Sequence, residues 1–208
     1  MKTNHYFYDL PEDYKCVKVI DAKNKKTSIL FVLGSLVLTL LVFGIGLIIF
    51  MQKYNFDNVI DAGNIVIVIV FILSMFLYIV LHELTHGLFY KIFTHEKLTY
   101  GFTLTVAYCG VPNLYVKRKA AIITTLAPFV VFNIVFLVPI FFIPNLAIKF
   151  LLIVLFAFHF GGCIGDLWVA IYLIFKNRDK QVIVNDTGPK QTFYVKVEDY
   201  ENQVSWFY

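Results

Sequence analysis

Charge is scarce in this chain. Of 208 residues only 15% are Asp, Glu, Lys or Arg, and 59% are apolar, whereas a soluble domain averages about 25% charged and 45–50% apolar. That balance argues against an ordinary soluble globule, a disordered tail and a basic module for nucleic acid, so no nucleic-acid partner is expected. Cysteine is scarce too. Cys16, Cys109 and Cys163 are odd in number and far apart, which points away from a disulfide framework and from a cysteine-based zinc site. Internal repeats and low-complexity linkers are also lacking, so one domain over residues 1–208 is expected.

What the chain has in abundance is long uncharged sequence, with a mean hydropathy of +0.74. Ser28–Phe50 carries no charge over 23 residues, enough to cross a hydrocarbon core of about 30 Å at 1.5 Å per residue. It follows 27 polar residues, is too long for a leader's apolar segment and lacks an Ala-x-Ala exit, so it reads as a span and not a signal peptide. Similar runs predict membrane-spanning helices over about 28–50, 64–93, 120–143 and 147–175, with polar edges at 1–27 and 176–208. Pro139 and Pro144 place the end of the third near Ile143. Sixteen basic residues fall in Met1–Thr27, Lys91–Lys119 and the tail from Lys176, and only Lys53 and Lys149 fall elsewhere. The positive-inside rule then puts both termini in the cytoplasm and makes the lipid bilayer the chain's first partner.

The second span runs into Leu81-His82-Glu83-Leu84-Thr85-His86-Gly87. Residues four apart share a helix face, so His82 and His86 offer two imidazoles to one Zn²⁺. Glu83, about 100° further round, is placed to act as a general base on a water there. A catalytic zinc needs a third protein ligand. Phe89 and Ile92 stand where a metzincin would carry Gly and His, so that class is excluded. His95 and Glu96 lie about 14 Å further along a continuous helix, and Glu198 and Glu201 lie in the polar tail. Asp166 is the better candidate. It precedes the basic boundary at Lys176 by ten residues, as His82 precedes Lys91 by nine, so both sit at a depth of roughly 14–15 Å. Gly161, Gly162 and Gly165 beside it admit a close neighbouring backbone. His159, about 10 Å deeper, suits a ligand, a proton relay or an interhelical hydrogen bond. Pro128 falls at the depth of the proposed metal and is expected to kink the third helix.

Leu98–Val116 is uncharged but alternates with period two through Cys109, which means strand. Gly110-Val111-Pro112-Asn113 supplies a turn, and Leu114–Val116 a return strand. Such a membrane-associated hairpin could capture an extended peptide on its edge, or serve only to fill a cleft. In the tail, Gln181–Val184 and Thr192–Val197 flank Asp186-Thr187-Gly188-Pro189 as a second hairpin, which Tyr14–Ile20 could join. The expected fold is therefore an all-α membrane protein: four transmembrane helices, a hairpin after the second, and a small cytosolic β element from the termini.

His82-Glu83-Leu84-Thr85-His86 in one span with Asp166 on a later one resembles the site-2 intramembrane metalloproteases, although Gly165-Asp166-Leu167 replaces their Asp-Gly pair. The order of Leu10-Pro11-Glu12-Asp13-Tyr14, the His-Glu-Leu-Thr-His-Gly run, Leu126-Ala127-Pro128 and Gly165-Asp166 is similar to the zincin peptidase family of small bacterial membrane proteins. The resemblance implies a multi-pass protein of a bacterial cell membrane whose zinc is held by His82, His86 and Asp166. Glu83 would be its base, and a peptide or membrane protein its substrate. A non-catalytic metal-binding protein or sensor is the alternative. It would keep the three ligands and tolerate loss of Glu83. A transporter has less support, since no inverted repeat is present.

Cysteines placed near Asn55 and Asn145 should react with an impermeant label from outside intact cells, and cysteines near Lys119 and Lys180 should not. Outside labelling near Lys119 would overturn the orientation and the depth argument together.

Overall fold

The uncharged stretches fold as helices because in apolar sequence only intrasegment hydrogen bonds satisfy every backbone group. In the computed structural model, which describes residues 5–54, 65–103, 106–176 and 180–199, they form α1 (Lys25–Lys53), α2 (Ile65–Thr94), α3 (Arg118–Phe142), α4 (Leu146–Gly162) and α5 (Ile164–Ile171). Residue 64, where the second span was expected to begin, lies outside the described residues. Among the described residues three helices are long and apolar enough to cross a membrane, or four if the bent pair of α4 and α5 with its π-helical end counts as one. The fourth predicted span, 147–175, is thus not one straight helix. It bends by 44° between Gly162 and Ile164, after Gly161-Gly162, whose backbone pays the largest entropy to stay helical. It ends in a π-helical turn, Tyr172–Lys176.

Among the described residues there are also seven strands: β1 (Tyr6–Phe7), β2 (Tyr14–Asp21), β3 (Thr99–Phe102), β4 (Ala107–Gly110), β5 (Tyr115–Lys117), β6 (Val182–Asp186) and β7 (Lys190–Lys196). An antiparallel sheet runs in the order β1-β5-β6-β7-β2, and β3 pairs only with β4. The tail hairpin and its partner from the amino terminus form as expected, but the sheet also recruits β5. The hairpin after α2 differs from its sequence reading. Its strands are joined between Thr103 and Val106; the turn read at Gly110–Asn113 does form, with Leu114 N donating to Val111 O at 3.1 Å, but Leu114–Val116 does not return along the hairpin. Instead Val116 pairs with Tyr6 and Val184. No Gly, Pro or Asn marks the hairpin's own turn. Thr103 makes it with its own hydroxyl, which accepts from Val106 N at 3.1 Å, while Thr103 N donates to Val106 O at 2.7 Å. Leu104 and Thr105 lie outside the described residues.

Contacts divide the chain into two units. One comprises Met1–Leu30, Glu83–Ala127 and Asp166–Tyr208. Its core is the sheet's inner face, with Phe193, Val195, Val184, Val116 and Leu114 buried and Tyr172 edge-on to Phe193. Arg118 donates to the carbonyls of Leu173 and Ile174, groups that the π-helical turn leaves available. A Cβ on Gly87 would run into the Tyr100 hydroxyl, so the β3–β4 hairpin packs against α2 where no side chain intervenes. The other unit, Phe31–His82 with Pro128–Gly165, has helices and no strand among the described residues. Tyr78, Phe132, Phe136 and Leu155 form its core. In it α1 and α4 approach closely, since a Cβ on Gly161 would meet the Ser35 carbonyl at 2.7 Å and one on Gly46 the Ile153 side chain at 2.7 Å. Outside those approaches the surface stays apolar: Leu33, Val37, Leu40 and Leu41 of α1 are each more than half exposed.

Asp186, at the end of β6, joins the sheet to α2. Its carboxylate accepts from the Tyr90 hydroxyl at 2.6 Å, Gly188 N at 2.8 Å and the Gln191 amide at 3.0 Å. Burial nevertheless pushes its pKa up from 3.8 to about 6. A carboxyl raised by folding stabilises the folded state most below its unfolded pKa, and that contribution is lost as pH rises through the folded value. In detergent with a chelator present, the wild-type melting temperature should therefore fall between about pH 4 and 6 relative to that of Asp186→Asn. Parallel curves for the two proteins would contradict this.

Candidate metal centre

His82, His86 and Tyr90 recur every fourth residue along α2, on one face of an unbroken helix. The two histidines are buried, at 8% and 9% exposure, and Glu83 is half-buried on the adjoining face. His86 Nε2 lies 3.4 Å from Asp166 Oδ1 on α5. The depth argument paired these two helices, and the structure brings His86 and Asp166 together. His82 stands one helical turn earlier.

The ring of His86 is fixed from behind. Its Nδ1 is 2.9 Å from the Thr124 carbonyl oxygen on α3, and a carbonyl only accepts, so Nδ1 carries a proton, and in the neutral ring that a metal needs Nε2 carries the lone pair. In a regular helix the Thr124 carbonyl would be taken by the N–H of residue 128. Residue 128 is proline, inside α3, and proline has no N–H. Pro128 thus frees the one carbonyl that His86 uses. The Thr124 hydroxyl, wholly buried, has no hydrogen-bond partner among the described residues, so polar capacity remains beside the ring.

His82 is held through a relay. The Tyr78 hydroxyl lies 3.1 Å from His82 Nδ1 and 3.0 Å from His159 Nδ1. It has one proton to give, so it donates to one ring and accepts from the other. With His82 Nδ1–H donating to Tyr78, the tyrosine donates to His159 and the Nε2 lone pair of His82 is free to ligate. His159 is fully buried and ringed by Phe129, Phe132, Phe136, Phe156 and Phe160. Of its three sequence readings, the interhelical hydrogen bond is formed through Tyr78. Donor atoms of His82, His159 and Cys163 also lie within 4.8 Å of one another, a second grouping that could hold a metal ion, with the Tyr78 hydroxyl bridging the two rings through their Nδ1 atoms.

The donor set fits zinc. An imidazole nitrogen and a carboxylate oxygen facing each other at 3.4 Å share either a proton or a metal cation. Two histidines and one carboxylate are a zinc-type donor set, and a ring N–H on a backbone carbonyl is the usual support of a ligating histidine. The remaining candidates are occupied elsewhere. His95 ends α2 in the left-handed conformation, with φ 58°, and Glu96 accepts from the Tyr8 hydroxyl at 2.7 Å. Glu198 accepts from Lys196, and Glu201 lies outside the described residues. Tyr78 and Thr124 were not singled out from the sequence. The only trace of the latter's role is Pro128, four residues on.

A family model described as "Putative zincin peptidase" matches residues 75–180, just over half of the chain. No curated protein and no solved structure matches it.

Loss of support behind either ligand should weaken metal binding without removing a ligand. Pro128→Ala restores a competing N–H for the Thr124 carbonyl, and Tyr78→Phe breaks the relay. Zinc affinity, measured by chelator competition on purified protein, is expected to fall about ten- to hundred-fold in each. Unchanged affinity in both variants would refute this account of the support.

Proposed function

This chain belongs to the zincin peptidase family, and on that premise we propose that it is an integral-membrane zinc metallopeptidase cutting peptide bonds in or near the cytosolic side of the bilayer. The observation that carries the reading is His86, whose Nδ1 is anchored on the Thr124 carbonyl and whose Nε2 faces Asp166. His82, one turn earlier on the same helix face, would complete a set of two histidines and one carboxylate for Zn²⁺. When bound, the metal supplies Lewis acidity to the scissile carbonyl and to the attacking water.

The chain's own groups would do the rest. Glu83, as carboxylate, takes a proton from the water as its oxygen bonds to the carbonyl carbon. It then returns that proton to the amide nitrogen as the C–N bond breaks. The buried ring edges of His82 and His86 and the phenylalanines around His159 limit access of bulk water. The β3–β4 hairpin, packed on α2 at Gly87, leaves the outer edge of β3 unpaired among the described residues. An extended substrate pairing there would have its carbonyls out of any helix of its own and exposed to attack.

Placement in a bilayer is supported by α1, whose exposed faces are apolar along its length and would aggregate in water. Both termini on the cytosolic side follow from the sixteen basic residues gathered there.

Glu83→Gln separates an enzyme from a metal-binding sensor. The variant should keep wild-type zinc content and remain in the membrane, while cleavage falls on the order of 10²–10⁴-fold and uncut substrates accumulate in a membrane proteome comparison. Asp166→Ala should lose most of the zinc. Identical proteomes under several growth conditions, with no cleavage of any candidate segment by purified wild type, would turn the reading to the sensor.

A further inference from the structure

Lys53 and Lys149 are the two basic residues that fall outside the three basic segments, and they are 96 positions apart in the chain. Both end at one tyrosine. Lys149 Nζ donates to the Tyr54 hydroxyl at 3.0 Å and lies 5.0 Å from the ring centroid, and Lys53 Nζ lies 5.7 Å from the same centroid. Lys149 is buried, at 9% exposure. Neither lysine pairs with a carboxylate among the described residues. Two ammonium groups repel, and a buried one without a counter-charge is costly. The phenol supplies an acceptor and a π face, and no negative charge.

The same residues form one end of a cavity of about 400 Å³ in the helical unit, walled by α1, α3 and α4. Ile45, Ile49, Phe50, Leu137, Phe141 and Ile153 line it, and Phe141 stands 77% exposed, so the cavity opens to the surroundings of the helices. Its size is that of a ligand pocket. Apart from the two lysines and Tyr54, its lining residues are apolar. A peptide would carry backbone N–H and C=O groups that these walls cannot satisfy. A hydrocarbon chain carries none.

We propose that this cavity binds an anionic phospholipid, one acyl chain lying between α1, α3 and α4 and the phosphate held by Lys53, Lys149 and Tyr54. The shape and the charge argue for the same molecule. The wall takes a chain without polar atoms, and the end that carries the two lysines takes an anion. The bilayer supplies such a ligand on the side opposite the other basic residues, where the phosphate would neutralise the lysine pair and tie α1 to α4. The proposal rests on the placement of the chain in a bilayer. It is independent of zinc and of Glu83.

Protein purified in detergent is mixed with equal amounts of dioleoyl phosphatidylglycerol and dioleoyl phosphatidylcholine, and retained lipid is counted by native mass spectrometry. A separate arm uses oleate. Wild type should retain one phosphatidylglycerol with about tenfold preference over phosphatidylcholine. Lys53→Gln and Lys149→Met should bring the two lipids to parity, with zinc content unchanged. Lys53 is exposed, so its variant tests the site even where Lys149→Met does not fold. Melting temperature should rise with phosphatidylglycerol in wild type and stay flat in the variants. Equal retention of the two lipids by wild type, or an undiminished preference in Lys53→Gln, would overturn the proposal. Retention of oleate with no phosphatidylglycerol would also overturn it, because the occupant would then be a free fatty acid.

Discussion

The hydrogen bond from His86 Nδ1 to the Thr124 carbonyl is the interaction on which the candidate centre depends. It fixes a proton on Nδ1, so that the neutral ring turns its Nε2 lone pair toward Asp166. The bond exists because α3 has given up one of its own. Proline in a helix interior is ordinarily destabilising, by about 3 kcal/mol. Here the helical bond that Pro128 omits is replaced by one from a neighbouring helix, so the carbonyl is not left unsatisfied. A defect in one helix becomes the orientation of a candidate ligand on another.

The same logic recurs along α2. Each polar residue on the His82–His86–Tyr90 face is held by a partner beyond it. Tyr78 carries the link from His82 to His159 on α4, Thr124 receives His86, and Asp186 receives Tyr90. Three unrelated stretches of sequence thus fix one helix face. Apolar helices side by side slide and rotate at little cost, since one apolar contact replaces another. Buried hydrogen bonds do not permit this, because each broken one leaves a desolvated group. The polar contacts are few but set the rotation of α2, and with it the direction of Glu83.

Much of this was legible in the residues. Long uncharged runs can only be helices where their backbone must satisfy itself, and the His-Glu-x-x-His spacing places its groups by helix geometry alone. The pairing of His86 with Asp166 was reachable too, because basic residues mark helix ends and 1.5 Å per residue converts position into depth. The missed features depended on contacts between distant parts of the chain. Thr103 turns the hairpin with a hydroxyl, and nothing distinguishes it from Thr99 or Thr105 in an alternating run. β5 leaves the hairpin for the larger sheet, where it pairs with β1 and β6 and Val116 is buried, a choice made by packing and not by strand composition. Pro128 was noticed for the kink it should cause. Its missing N–H matters only once His86 is known to lie opposite Thr124.

The tail shows how a remote segment acquires a stake in the site. Asp186-Thr187-Gly188-Pro189 reads as a turn, and it is one. Gly188 has φ 97° and packs against Tyr108, leaving no room for a Cβ. Gly110 of β4 in turn approaches Gly188 N so closely that a side chain there would not fit. The two glycines let the tail turn and the β3–β4 hairpin lie backbone to backbone, with Val111 N donating to Asp186 O at 2.8 Å. From that position the Asp186 side chain reaches Tyr90, one helical turn past His86. A residue about a hundred positions from the histidines therefore steadies their helix. It does so at the cost of burying a carboxylate, which is tolerable only because three donors converge on it. Polar groups placed against an apolar background in this way give the helix one rotation out of many that hydrophobic contact alone would accept.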